Sequence, residues 1–194
     1  MSLQLKAYRC SSPKCALIRH PYGPGQHGKS RKRGSPSEFA LQLKEKQKLK
    51  WSYGLKENQI QNIFKSASRS RTATGEKMIQ ALERRLDNVV FRLMLVPSRI
   101  MARQVIKDGH ITVNGKKVTV PSYEVSIGEI VGIRPESSTR SVFKTLEETY
   151  KKYEAPVWLQ IDKAKKEGKM TALPFDTEVP FDIDLVIEYL SKYE

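Results

Sequence analysis

Residues 98–120, SRIMARQVIKDGHITVNGKKVTV, constrain the fold most tightly, because a helix, its stop, a strand and a hairpin follow one another without a spare residue. At about 100° per residue, Met101, Ala102, Val105 and Ile106 occupy one arc of the predicted helix, and Arg99, Arg103 and Lys107 occupy another. One face is suited to packing and the other to meeting negative charge. Ser98 supplies a hydroxyl at the expected N-cap, and Gly109 suits a left-handed stop. Ile111, Val113, Val118 and Val120 then alternate with polar residues about Asn114-Gly115. That pair tolerates positive φ and favours a type I′ turn, with Lys116 and Lys117 just beyond it.

Charge narrows the partner. The 194 residues include 35 Lys and Arg against 21 Asp and Glu, a formal charge of +14, which points to a polyanion. The excess is graded along the chain. Residues 1–50 hold 12 basic side chains against Glu38 and Glu45, residues 51–150 hold 16 against 10, and residues 151–194 hold 7 against 9. The tail therefore belongs to a different electrostatic surface. No apolar run reaches the roughly 18 residues of a membrane span, since even VVFRLMLV is broken by Arg92, and the amino terminus lacks a signal peptide's apolar block. A cytosolic protein without a membrane partner is expected, in which Cys10 and Cys15 need not form a disulfide.

Residues 1–37 mix four prolines and four glycines with basic groups and show almost no aliphatic periodicity, so they cannot pack a core alone. Within HPYGPGQHGKSRKRG, glycines allow close backbone approach to a surface. Arg19, Lys29, Arg31, Lys32 and Arg33 supply charge, while His20, Tyr22 and His27 are ring systems able to stack on bases. Both a disordered basic tail and an extension that orders on binding fit this composition. Helices are predicted from Ser37 to Gly54, from Lys56 to Ser68 on an Ile60, Ile63, Phe64 and Ala67 face, and from Gly75 to Met94. In the last of these, Ile79, Leu82, Leu86, Val89 and Leu93 form a buried stripe. Arg84, Arg85, Asn88 and Arg92 make its other side polar, with Glu83 and Asp87 available to pair with some of the arginines.

After the hairpin, Val125, Ile127, Ile130, Val131 and Ile133 predict further β structure beside the first ribbon. A helix is expected around Leu146, followed by a more irregular region from Pro156 in which Trp158 joins the core. FDIDLVIEYLSKYE reads as a strand or a short helix docking on an earlier part; in a strand, Asp182 and Asp184 share one side.

No enzyme signature sits in its required setting: GPGQHGKS at 23–30 has the GxxxxGK and GxGxxG spacing but follows no predicted strand, and there is no HExxH pair or GxSxG elbow. No catalytic residue, cofactor or small-molecule substrate is expected. Cys10, Cys15, His20 and His27 permit a metal site, but the spacing of the second pair lies outside the usual pattern, so reduced cysteines without metal are the expectation.

LERRLDNVVFRL, the Ser98–Val118 stretch and PSYEVSIGEIV resemble the RNA-binding module named after the S4 family of small-subunit ribosomal proteins. That module occurs in other RNA-binding proteins too. The flanking YGPGQHGKSRKRGSPSEFALQLKEKQKLKWSYGL, TGEKMIQALERRLDNV and DLVIEYLSK resemble the ribosomal family itself, over nearly the whole chain. The resemblance implies an α+β fold: a mostly helical domain (38–80 with 183–194) holding the module (81–182), in which a helix pair packs on a small, mainly antiparallel sheet, after an extended basic segment (1–37). It implies a structural constituent of the cytoplasmic small subunit that binds a helical junction in the 5′ domain of 16S rRNA and nucleates assembly. With ribosomal proteins S3 and S5, such a protein lines the channel by which mRNA enters and influences accuracy. Zinc-binding members carry a CxxC pair upstream of the one matching Cys10 and Cys15; this sequence starts after that point, so a four-cysteine site is not expected.

The expected RNA-facing set is Arg19, Tyr22, Gln26, His27, Lys29, Arg31, Lys32 and Arg33, then Gln42, Lys44, Lys46, Lys50 and Tyr53. It continues with Arg84, Arg85, Asn88, Arg99, Arg103, Gln104, Lys107, His110, Asn114, Lys116 and Lys117. On this reading, charge reversal at Arg99 and Arg103 weakens RNA binding and leaves the melt nearly unchanged. An RNA-modifying enzyme or a stress factor sharing the module is the alternative.

Overall fold

Two hydrophobic cores, joined along a polar seam, organise the computed structural model, which describes residues 3, 5, 9–10, 12–29, 35–70, 73–140, 143, 153–175 and 177–192. After a short helix α1 (Ala16–Arg19), the first core is built by α2 (Glu38–Tyr53), α3 (Glu57–Ser68), α4 (Thr74–Glu83) and the last helix, α7 (Ile183–Ser191). Ser37 caps α2 by accepting a hydrogen bond from Ala40 N, and Gly54 ends it at φ 60°, in the left-handed region that glycine tolerates. Leu49, Tyr53, Ile60, Phe64, Met78 and Leu82 close over Phe181, Val186 and Leu190. The tail is thus a helix. Asp182 is its N-cap, accepting from the backbone N–H groups of Asp184 and Leu185, so the strand with two acids on one side does not form.

The second core lies between α5 (Leu86–Arg92), α6 (Arg99–Lys107) and a five-stranded sheet. Its strands are β1 (Ile111–Val113), β2 (Lys116–Lys117), β3 (Ile130–Ile133), β4 (Leu159–Asp162) and β5 (Glu167–Met170), in the order β2-β1-β3-β5-β4 with every pairing antiparallel. The α+β class is the one expected. Ser98 caps α6, accepting from Met101 N, and Gly109 follows it at φ 75°. Asn114 and Gly115, at φ 50° and 77°, make the tight hairpin, and the Asn114 side chain accepts from Ile130 N to tie the turn to β3. Leu86, Val90, Leu93, Ile106, Ile111, Val131 and Trp158 fill this core. Among the described residues, no helix is long and apolar enough to cross a membrane.

Three elements differ from the sequence reading. The single helix expected over 75–94 is two, because Arg85 takes an extended conformation and the chain from Pro121 to Val125 pairs across the break. Leu86 N donates to Tyr123 O, Asp87 N to Pro121 O, and Val125 N to Arg84 O. The break is tertiary in origin; no proline or glycine marks it. Second, the region expected to be irregular after Pro156 forms the β4–β5 hairpin, turning at Lys166 with φ 55°. Its residues lack strand periodicity; β5 is held by pairing with β3, and Asp162 Oδ1 accepts from Ala164 N and Lys165 N at the turn. Third, β2 ends at Lys117, so Val120 is exposed rather than part of the buried alternation. The helix expected around Leu146 lies outside the described residues.

Gly168 in β5 faces the second core so closely that a Cβ there would stand 2.1 Å from Leu93 Cδ2, and Leu93 is fully buried. Gly168→Ala is expected to destabilise the protein by about 1–3 kcal/mol through overpacking. Urea unfolding should show this as a lower midpoint with an unchanged slope.

Candidate nucleic-acid interface

The polar seam between the cores uses many of the residues expected to face RNA. Glu83, at the end of α4 and fully buried, accepts from Arg92 Nε and Nη2 at 2.9 Å each, from the Tyr53 hydroxyl at 2.5 Å and from Asn88 Nδ2 at 2.7 Å. Asn88 Oδ1 in turn accepts from Arg99 Nε at 2.7 Å, and the Arg99 guanidinium lies 4.6 Å from the Tyr53 ring centroid and 4.5 Å from that of Phe91. Asp87 accepts from Arg85 at 3.2 and 2.9 Å and from Arg103 Nε at 2.8 Å. Arg103 also donates to the carbonyls of Tyr53 and Gly54, which anchors α6 to the end of α2.

Burial alone would raise the Glu83 carboxyl, but the hydrogen bonds and charge of Arg92, with the Tyr53 hydroxyl, hold it below the ordinary carboxylate value. The Tyr53 hydroxyl is pushed up, first by burial and then by Glu83. Burial lowers Arg99, while Arg92 is raised because Glu83 outweighs its desolvation. Three guanidiniums thus share two carboxylates, and Arg99 joins the network through Asn88.

Six of the residues expected to face RNA are buried. Tyr53, Arg85 and Asn88 belong to the seam. Gln42 donates to Glu38 and Glu188 at 3.0 and 2.9 Å, and Lys46 pairs with Glu57 at 2.6 Å while lying 4.4 Å from the Tyr189 ring centroid. Both are covered because α7 docks on α2, which periodicity in α2 alone does not reveal. His110 meets the Ser137 hydroxyl at 3.1 Å and the edge of Phe143; burial first, then Arg140, lowers its pKa. Arg99 and Arg103 are only partly exposed and turn inward. The expectation that reversing their charge spares the melt is therefore corrected: their guanidiniums hold the two cores together.

The outward set is smaller. Gln104 and Lys107 on α6, Asn114, Lys116 and Lys117 at the hairpin, and Lys44 on α2 are exposed. Lys117 lies across Gly109, where a Cβ would stand 2.2 Å from its Cε, so the hairpin lysine and the end of α6 share one patch. Arg134 and Arg140, absent from the sequence-based set, stand near enough to His110 to help lower its pKa, and Arg134 is paired with Glu136. Lys50 and Arg84 are half-exposed and already engaged, with Glu57 at 3.1 Å and with Val125 O at 3.1 Å respectively. In the amino-terminal segment, Arg19, Tyr22, Gln26, His27 and Lys29 are exposed; the Tyr22 hydroxyl meets His20 Nδ1 at 3.2 Å, and Lys29 Nζ lies 5.0 Å from the Tyr22 ring centroid. Arg31, Lys32 and Arg33 lie outside the described residues. Cys10 and Cys15 form no disulfide, and among the described residues no group of three or more His, Cys, Asp or Glu side chains is placed to hold a metal.

Glu83→Gln should destabilise the fold by about 3–5 kcal/mol, because Arg92 then loses its counter-ion in a largely buried setting. Acid titration of the melt tests the same group. Since the folded carboxyl is depressed, its stabilisation is present above the unfolded value of about 4.3 and is lost as pH falls through the folded one. His110, also depressed, should add a separate decline beginning below about 6.5, where the unfolded imidazole binds a proton and the folded one does not. Glu83→Gln should shrink the lower decline, leaving the part carried by Glu57, whose carboxyl is held down against its burial by hydrogen bonds from Lys46 and Lys50, and should leave the upper one.

Family models match two adjoining segments, the ribosomal protein S4/S9 N-terminal domain over residues 1–83 and the S4 domain over residues 84–131. The small ribosomal subunit protein uS4A of Alkaliphilus oremlandii is 45% identical over 194 residues, covering 99% of this chain and 92% of that protein. The uS4 proteins of Thermus thermophilus and Halothermothrix orenii are each 43% identical, over 99% and 98% of this chain and 92% and 91% of their own length. Together with the S4-domain match over α5, α6 and the first hairpin, this near-complete coverage establishes that the chain belongs to the uS4 family of small ribosomal subunit proteins.

Proposed function

We propose that the protein is a primary binder of 16S rRNA, recognising a junction in the 5′ domain and nucleating assembly of the surrounding body of the small subunit. The observation that carries this reading is how charge is divided. The seam's two carboxylates are buried and engaged by Arg85, Arg92 and Arg103, whereas Lys107, Lys116 and Lys117 stand exposed and without an ion pair among the described residues. An outward cationic patch on a rigid hairpin suits the phosphates of structured RNA, which is recognised chiefly by shape and backbone. The exposed groups of residues 19–29 provide a second basic surface that reaches further along the same RNA.

Ribosomal proteins S3 and S5 are the proposed neighbours, with mRNA passing close by in the channel by which it enters, where the protein contributes to accuracy. The site of action is the cytoplasmic small subunit. The family is one of ribosomal structural proteins, so the chain acts by binding and positioning, with no catalytic step.

Replacing Lys107, Lys116 and Lys117 together by Glu should weaken binding to a 5′-domain rRNA fragment and leave the thermal melt near that of the parent. The slope of log affinity against log salt should fall by about 0.7–0.9 for each phosphate that the variant no longer neutralises. A filter-binding series in potassium chloride measures both quantities, and parent-like binding by the triple variant would contradict the assignment of this patch.

A further inference from the structure

A groove opens along the seam between the cores, flanked by the exposed side chains of Trp51 and Ile100 and bordered by Phe91, Arg99 and Arg103. It encloses about 220 Å³, below the roughly 300–1,000 Å³ of sites that take larger ligands. Among the described residues no carboxylate lines it, and the charged ones that do, Arg99 and Arg103, are cationic. The Ser52 side chain is 5% exposed, lines the same groove, and its hydroxyl has no hydrogen-bond partner among the described residues. A buried hydroxyl in that state has an unmet demand, and its neighbours in the groove identify what meets it.

Trp51 is 56% exposed at the last turn of α2, while its neighbour Tyr53 is buried in the first core. An exposed indole offers a face for stacking, a hydroxyl offers a donor and acceptor to a base edge, and guanidiniums draw a phosphate. An apolar side chain does not satisfy all three. Leu3 and Leu5 border this groove and supply no partner for the Ser52 hydroxyl among the described residues.

We propose that the groove takes one unpaired nucleobase of RNA, stacked on Trp51, with Ser52 Oγ bonded to the base edge and its phosphate drawn towards Arg99 and Arg103. This inference rests on the reading of the chain as an rRNA binder and adds a subsite distinct from the lysine patch on α6 and β2. The groove selects single-stranded positions, because a paired base presents neither a free face nor a free edge.

Tryptophan emission of the full chain tests it, using a hexamer of single-stranded adenylate as one probe and a 5′-domain rRNA fragment as the other. Trp158 is fully buried in the second core, so quenching on binding reports Trp51. Trp51→Leu should remove the quenching and weaken hexamer binding by roughly tenfold, with an unaltered melt because the indole is exposed. Trp51→Phe should retain most of the affinity, and Ser52→Ala should weaken it by about threefold to tenfold. Unchanged affinity of Trp51→Leu for both probes, with no quenching in the parent, would overturn the base subsite; the lysine variants would still report on rRNA binding. A parent protein that binds neither probe would overturn the subsite and the rRNA reading together.

Discussion

The fold depends on how one buried charge, the Glu83 carboxylate, is neutralised. Its partners come from three places in the chain: Tyr53 at the end of α2, and Asn88 and Arg92 on α5, with Arg99 of α6 attached through Asn88. Hydrophobic burial is non-directional and holds each core together without dictating how one is turned against the other. Hydrogen bonds require distance and angle, so this network specifies that orientation. A carboxylate so placed is stabilising only while every partner is present, which makes the seam both the most specific and the most vulnerable part of the structure.

That requirement also explains the broken helix. A continuous helix from α4 into α5 would keep the 84–86 backbone bonded within itself. Instead Arg84 O and Leu86 N pair with the passing chain at Val125 and Tyr123, and Asn88 Nδ2 donates to Glu83 O. The change in direction brings Asp87 against Arg85 and Arg103. Leu86 N, Asp87 N, Glu83 O and Arg84 O thus find partners outside the helix at the break.

Local signals in the sequence were strongest where the structure is locally determined. Ser98, Gly109 and Asn114-Gly115 act within a few residues of themselves, and α6 and its hairpin follow from them. The β4–β5 hairpin was not legible, because residues 159–170 carry little strand periodicity and β5 is placed by a remote partner, β3. The candidate interface was legible in residue type and only partly in direction. Arg85, Arg99 and Arg103 resemble Lys107 and Lys117 in charge, yet Arg85 meets the neighbouring Asp87, Arg99 and Arg103 meet Asn88 and Asp87 once α5 and α6 pack, and Arg103 meets the Tyr53 and Gly54 carbonyls only when the two cores come together. What distinguishes them in the sequence is the presence of Glu83 and Asp87 nearby, which marks a seam as readily as a solvated ion pair.

The acidic tail completes the division of charge. Helix α7 lays Glu188 against Gln42 and brings Lys192 to Glu38, while Glu45 accepts from Asp182 N and pairs with Lys48 at 2.6 Å. Lys46 and Lys50 are both taken by Glu57 at the start of α3. Much of the lysine charge of α2 is therefore offset inside the helical core, and Lys44 is left on its exposed side. The graded charge of the sequence thus becomes a spatial one: acids gather where helices pack, and the surplus cations remain on α6, the hairpin and the amino-terminal segment. Helix α6 and the hairpin share the second core, where Lys117 lies across Gly109, so their surplus forms one patch, and the seam sets how that patch is turned against the exposed Lys44 side of the helical core.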